Sequence, residues 1–502
     1  MRKSGVLLAI SSLPGKYGIG SFGKEAYDFV DFLVAAGQHY WQILPLGPTG
    51  FGDSPYQSFS TYAGNPYYID LESLIKEGLL TKKECDSADL CDKVSVPGSR
   101  KKTPVLDSVN YEKIYFGKMA LLRKAYERFD REDKKYKKFV RDEKSWLADY
   151  ALFMALKEEE DGASFIGWDK DLRTRKKKAL SEAKKRLKSE IEFYYFCQYF
   201  FFTQWGELKK YANKHGIEII GDIPIYVAAD SADTWANPEL FLLDKDLNPT
   251  GVAGCPPDYF SATGQLWGNP LYDWEYHKKT GYRWWIDRMQ HCFRLYDRVR
   301  IDHFRAFDEY YFIPFGDPTA EFGHWEKGPG VELFRKMEEE IGDKPLIAED
   351  LGFLTDSVFE LMRACGYPGM KVLEFAFDSM EDNDYLPHNF NRNCVVYTGT
   401  HDNDTVLGWY PSLSKKDRKF VKDYLGIRST KYLNGYMIRL AFASVADTAI
   451  VPMQDLLGLG SEARMNIPST LGINWKWRLK EDQITKGLTS ELRSITEIYG
   501  RI

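Results

Sequence analysis

The chain has 502 residues, 44% of them hydrophobic and 28% charged, and its net charge is only −5. That length supports a large core plus an inserted region, and so small a charge argues against nucleic acid or an anionic membrane as a partner. Seven scattered cysteines, odd in number and without a CxxC pair, argue against a disulfide framework or a zinc site and fit a reducing, cytoplasmic setting.

The first strand signal is VLLAI (6–10), too short for the core of a secretion signal and closely followed by Pro14. A Gly-rich loop, SSLPGKYGIGSFG, leads to a helical stretch, EAYDFVDFLVAAG, and to a second strand run, HYWQILPL (39–46). The glycines of that loop lack the spacing and the later acidic residue of a nucleotide fingerprint. A second loop, GPTGFGDSPYQSFSTYAGNP, follows. From 71 to 212 the chain is rich in Lys and Glu and its apolar residues recur at three and four, so it reads as a mostly helical inserted subdomain. The basic runs KKYKK (134–138) and RTRKKK (173–178) lie among acidic residues and read as solvated helix faces.

Strand signals return at IEIIGDIPIYV (217–227) and recur at RVRID (298–302), PLIAED (345–350), MKVLEFAF (370–377), CVVYTG (394–399) and TAIVPM (448–453). Strands alternating with helices indicate parallel α/β architecture, and about eight of them favour a closed (β/α)₈ TIM barrel over an open sheet. The expected division is a first part of the barrel at 1–70, the helical insertion at 71–212, and the rest of the barrel at 213–502 with smaller inserted segments. No stretch approaches the roughly 18 apolar residues of a membrane helix.

Three of the later strand runs break into acids, at Asp302, Glu349 and Asp402. Cleaving a glycosidic bond with retention needs a nucleophilic carboxylate and a second carboxyl that first gives and then takes a proton. A barrel gathers its strand ends at one mouth and could assemble the three. Arg300 and His303 flank Asp302, and a neighbouring cation is expected to hold its carboxyl low and ionised. Glu349, near an ionised Asp302 in an apolar pocket, is expected to keep its proton and act as the acid. Asp402, preceded by His401, is placed to bind sugar hydroxyls. Position and residue type alone leave Asp350, Asp308, Glu309 and Asp404 as competitors, since an acid after a strand is often a cap or turn residue. His303 and His401 do not sit in a compact metal motif, so no metal is expected. Aromatics make up 15% of the chain; most are read as part of a large core, and a sharper reading is a surface whose rings stack on the apolar faces of sugars.

Several longer blocks extend this picture: LPLGPTGFGDSPYQSFSTYAGNP, GDIPIYVAADSADTW, PPDYFSATGQLWGNPLYDW, RIDHFRAF, IAEDLG, GTHDNDT and ARMNIPST. With them, from SSLPGKYGIG to NWKWR (474–478), the chain resembles the 4-α-glucanotransferases of the amylomaltase type, glycoside hydrolase family 77 of the α-amylase superfamily. The resemblance implies that Asp302 is the nucleophile, Glu349 the general acid/base and Asp402 the transition-state stabiliser. It implies that Arg300 and His401 hold the nucleophile and the bound glucose, with His303 beside them. A loop over 251–268 is expected to cover the groove and bring Asp258, Tyr259, Phe260, Gln265 and Trp267 to the sugar chain, while Ser54 and Tyr56 line the donor side.

The implied reaction moves α-1,4-glucan segments, with maltooligosaccharides and glucose as partners and no cofactor, by two displacements with retention. The alternative is an α-glucan hydrolase of the same superfamily. Three positions depart from the family pattern: Cys255 for an aliphatic residue, Ala306 for Gly, and Ser469 for the Gly of NIPGT.

Overall fold

The computed structural model describes residues 2–50, 52–95, 102–257, 261–352, 354–378 and 382–502. Eight strands form its centre: β1 (Lys3–Leu7), β2 (Tyr40–Gln42), β3 (Glu218–Pro224), β4 (Arg298–Asp302), β5 (Leu346–Ala348), β6 (Gly369–Val372), β7 (Cys394–Tyr397) and β8 (Thr448–Pro452). Their order is β5-β4-β3-β2-β1-β8-β7-β6, all pairs parallel, so each strand lies beside its neighbours in sequence. That is the strand order of a (β/α)₈ barrel, as the alternation of strand and helix signals predicts. The remaining seam, between β5 and β6, is bridged where the Ala348 N–H donates to Pro368 O at 3.0 Å and the Met370 N–H donates to the Asp350 carboxylate at 2.6 Å.

Each apolar run contributes a strand, but several strands stop short of their runs. The first ends at Leu7, and Ile10–Ser12 forms a 3₁₀ turn instead of continuing it. The 370–377 run leaves the sheet after Val372, because the chain turns over Leu373–Ala376 and the Glu374 N–H donates to Thr398 O on the β7 side. These turns at the strand ends aim the following residues across the mouth of the barrel.

Between β2 and β3 the chain is largely helical, with helices that include Met119–Arg128, Lys134–Asp142, Lys144–Glu159 and Lys188–Lys214. The last of these, 27 residues long, buries Phe193, Phe196, Phe200, Phe201, Trp205 and Leu208 at helical spacing. Phe22, near the barrel's first loop, packs against Phe201 and Trp205 with ring centroids 5.2 Å apart in both pairs, and the Trp205 indole donates to Leu295 O at 3.1 Å. Burying each large side chain of this seam contributes about 1.5–3 kcal/mol, which fixes the helix to the barrel. In the KKYKK run only Tyr136 is buried; its four lysines are exposed, as expected of a solvated face.

The 251–268 segment differs from its expected form. It is largely a β-hairpin, with strands Gly251–Cys255 and Gln265–Pro270. With Glu309–Pro314 and His324–Lys327 it forms a four-stranded antiparallel sheet, in which Gln265–Pro270 is an edge strand. The glycines at 251, 254 and 268 and Pro270 weaken the strand signal in sequence. Pairing with Glu309–Pro314, from the chain that follows β4, supplies the order the segment lacks by itself.

Candidate active site

The site grows from one register in the sheet. β3 and β4 pair so that Asp222 lies beside Arg300 and Pro224 beside Asp302. Side chains two apart on a strand share a face, so Arg300 and Asp302 both turn the same way. The fully buried Arg300 guanidinium donates from Nη1 to both oxygens of Asp222 at 2.8 Å, and from Nη2 to Asp302 Oδ1 at 2.9 Å. One cation thus binds two carboxylates. Asp222 also accepts from the Tyr56 hydroxyl at 2.9 Å.

Burial at the barrel mouth pushes the Asp302 carboxyl up from its ordinary value; Arg300 opposes this, while the charges of Asp222 and Asp402 add to it. The expectation of a carboxyl held low by its cation is therefore corrected: burial outweighs Arg300. Asp302 still keeps 31% of its side-chain surface open to the groove.

Glu349 follows β5 directly, and its two oxygens are fixed by backbone. Oε2 accepts from the His303 N–H at 2.6 Å and Oε1 from the Leu351 N–H at 2.8 Å. His303 has a left-handed backbone with φ of 57°, an uncommon conformation for a residue with a Cβ. That turn is what points its N–H at Glu349. Desolvation first, and the charge of Asp302 second, push the Glu349 carboxyl up to about 8.

Asp402 sits past β7 in a turn closed by Thr400 and Asn403. Its Oδ1 accepts from Asn466 Nδ2 at 2.7 Å and lies 3.4 Å from His401 Nε2, and its backbone carbonyl accepts from Arg464 at 2.7 Å. The His401 ring stacks on Tyr56, with centroids 5.0 Å apart and planes at 15°, and its Nδ1 lies 3.4 Å from the Tyr56 hydroxyl. Tyr56 therefore links the Asp222–Arg300–Asp302 chain to the turn that carries Asp402.

The other expected site residues fall around this core. Ser54 accepts the Tyr56 N–H at 3.3 Å and so shapes the turn that presents Tyr56. Trp267 meets the His303 ring edge-on at 4.7 Å, and its indole donates to Gln265 Oε1 at 3.1 Å. Burial pushes the His303 imidazole down to about 3, leaving it neutral. Asp258, Tyr259 and Phe260 lie outside the described residues.

The competing acids have structural partners. Asp350 bridges the barrel seam; Asp308 accepts from Ser357 at 2.6 Å; Glu309 pairs with Lys327 at 2.7 Å; and Asp404 accepts from the Thr405 N–H and the Ser461 hydroxyl. Among the described residues no group of three or more His, Cys, Asp or Glu side chains could hold a metal ion. Two residues of the network escaped the sequence reading. Asp222 interrupts the middle of the apolar run IEIIGDIPIYV, whose other charge, Glu218, stands near its start, and Asn466 lies in the ARMNIPST block.

An α/β barrel with a cation-held carboxylate and a proton-holding carboxyl at its mouth is the architecture of an enzyme that works on glycosidic bonds. A family model described as 4-alpha-glucanotransferase matches residues 8–485. A 4-alpha-glucanotransferase of Clostridium butyricum is 50% identical over 495 residues, covering 98% of this chain and 99% of its own length. One of Thermus thermophilus is 46% identical over 513 residues, covering 100% and 99%. The amylomaltase from Streptococcus agalactiae, solved in complex with acarbose, matches with a TM-score of 0.95 and 42% identity over 100% of both chains. The chain belongs to the 4-alpha-glucanotransferase family.

Proposed function

We propose that this 4-alpha-glucanotransferase moves α-1,4-glucan segments between maltooligosaccharides, with glucose as the smallest acceptor, through a covalent intermediate on Asp302. The observation that carries the reading is the unequal pair: Arg300 bonds Asp302, while burial and the Asp302 charge raise Glu349 to about 8. At neutral pH the first is a nucleophile and the second an acid.

In the first step Asp302 attacks the anomeric carbon as Glu349 protonates the leaving oxygen. The transition state carries positive charge on the sugar ring, which Asp402 stabilises. Esterification then removes the negative charge from Asp302. With that charge gone, the repulsion that raises Glu349 weakens, and Glu349 deprotonates more readily. It becomes the base that takes the proton from the incoming 4-hydroxyl, and the second inversion restores the original configuration. The same two groups serve both halves because one changes charge and the other responds.

Trp267, Gln265, His401 and Tyr56 are read as sugar-contacting walls of the groove, with Ser54 supporting Tyr56, and Asp258, Tyr259 and Phe260 as further sugar contacts. Neutral His303 suits contact with an uncharged sugar. The helices over 71–212 are read as an inserted subdomain on a barrel made by 1–70 and 213–502. The workplace is taken to be the cytoplasm, which the scattered cysteines, odd in number and without a CxxC pair, support. Incubation with maltotriose tests the reaction: longer oligomers appearing alongside glucose are expected, and shortening alone would refute transfer. Asp302→Asn should abolish both transfer and hydrolysis, and substantial residual activity would overturn the assignment.

A further inference from the structure

Two walls of the groove are tied together by a pair of amides. Gln57 lies one residue beyond Tyr56, on the loop that follows β2. Its Nε2 donates to Asn269 Oδ1 at 3.1 Å, and Asn269 Nδ2 donates back to Gln57 Oε1 at 3.4 Å. Asn269 is 5% exposed and lies on the edge strand of the small sheet, two residues beyond Trp267. Its Nδ2 also donates to Val227 O at 2.7 Å, just past the end of β3. The Asn269 side chain therefore joins three pieces: the loop bearing Tyr56, the strand bearing Trp267, and the strand end that carries Asp222. An edge strand has ladder partners on one side only, so these side-chain bonds fix the height of its free edge over the barrel.

We propose that the Gln57–Asn269 pair is a positioning latch that favours glucan transfer over hydrolysis. The two reactions share one intermediate. In transfer, a sugar O4 bonds to the anomeric carbon, the ester bond to Asp302 breaks, and the hydroxyl proton goes to Glu349. In hydrolysis, water oxygen makes the bond, and the same ester breaks with the proton going to the same base. The chemistry at the carboxylates cannot discriminate, so the choice falls to the walls. A wall held at one height stacks an acceptor ring and displaces water; a wall free to lift admits water without placing the ring. The latch sets that height through Trp267, whose ring leans on His303 next to Asp302. The inference rests on Asp302 carrying the intermediate.

The test compares wild type, Gln57→Ala, Asn269→Ala and the double variant on maltotriose, counting longer oligomers against new reducing ends. Gln57→Ala should lower the transfer-to-hydrolysis ratio about fivefold, the worth of roughly one neutral hydrogen bond, with total donor cleavage within about twofold. The double variant should be no lower in ratio than Asn269→Ala, because one latch can be opened only once. If Asn269→Ala does not fold, Gln57→Ala and Gln57→Leu read the latch from the loop side. An unchanged ratio in Gln57→Ala overturns the latch, as do additive effects in the double variant. Loss of thermal stability with an unchanged ratio marks a purely structural tie and also overturns it. Failure of the underlying reading looks different: the wild type itself would make no longer oligomers.

Discussion

Asp222 makes no proposed contact with the reacting bond, yet it should govern both the stability and the pH response of the site. It is fully buried and accepts three hydrogen bonds, two from Arg300 at 2.8 Å and one from Tyr56 at 2.9 Å. Asparagine keeps the shape but offers one carbonyl oxygen, and its amide turns toward Arg300 or Tyr56. At least one donor then loses its acceptor, and Arg300 keeps only Asp302 as an anionic partner. Breaking one side of a buried ion pair costs about 3–5 kcal/mol. Because Asp302 still balances part of the Arg300 charge, Asp222→Asn should lose about 3 kcal/mol, read by urea denaturation.

Activity follows the same geometry. Arg300 and Tyr56 both take their positions from Asp222, so kcat/KM on maltotriose should fall about 100-fold, equivalent to about 2.7 kcal/mol of transition-state stabilisation. The acid limb of the pH profile supplies a sharper test. The Asp222 charge raises the Asp302 carboxyl. Removing it lowers that carboxyl, so Asp302 stays ionised to lower pH and the limb moves down. A variant within about 1 kcal/mol of wild-type stability, or an acid limb that stays put or moves up, would refute the shared-cation account.

Three further outcomes can be checked. Activity should fall as pH rises through about 8, where Glu349 loses the proton it donates. The same raised value makes stability decline with pH: the unfolded carboxyl ionises near 4.5 and the folded one near 8, so this group's contribution is full below 4.5 and is lost up to about 8. Denaturation at pH 5 and pH 8 should show that slope flattened in Glu349→Gln. Ser469 occupies a left-handed conformation, φ 63°, where the family pattern has glycine. Ser469→Gly should stabilise by about 0.5–1 kcal/mol, the left-handed strain less the added chain entropy of glycine, and no gain in melting temperature would count against it. Arg501, fully buried one residue from the C-terminus, donates to Lys3, Phe442, Ser444 and Ala446 carbonyls at 2.8–3.1 Å. Arg501→Ala should cost about 3 kcal/mol or more while leaving kcat at 25 °C unchanged, and a stable variant would show those carbonyls to be satisfied elsewhere.

The barrel was readable because burial on both faces leaves most parallel strands as short, largely apolar runs, as in GVLLAI or CVVY. The small sheet was not, because Gly251–Cys255 and Gln265–Pro270 owe their strand form to partners distant in sequence. The proposed catalytic trio could be located by strand position, and the longer blocks favoured Glu349 over Asp350, but what the competing acids do instead needed their bonds: Asp350 differs from Glu349 by one residue, yet faces the seam. Asp222 was hidden for the opposite reason. It lies within a strand rather than after one, and its meaning comes from Arg300, 78 residues away and adjacent only through the β3–β4 register. Ala306 needs no correction for its missing glycine, since its turn uses ordinary backbone angles, whereas Ser469 does carry the cost.

The backbone N–H of His303 has a mechanical consequence. It belongs to the peptide unit that begins at the Asp302 carbonyl, and it donates to Glu349. Asp302 and Glu349, the proposed nucleophile and acid/base, are therefore tied through one planar peptide unit and one hydrogen bond. A thermal displacement of one tends to carry the other with it, so the gap between them should fluctuate less than either position does. Heating or crowding of the groove would then blunt substrate grip before it spoils the alignment of the two carboxyls.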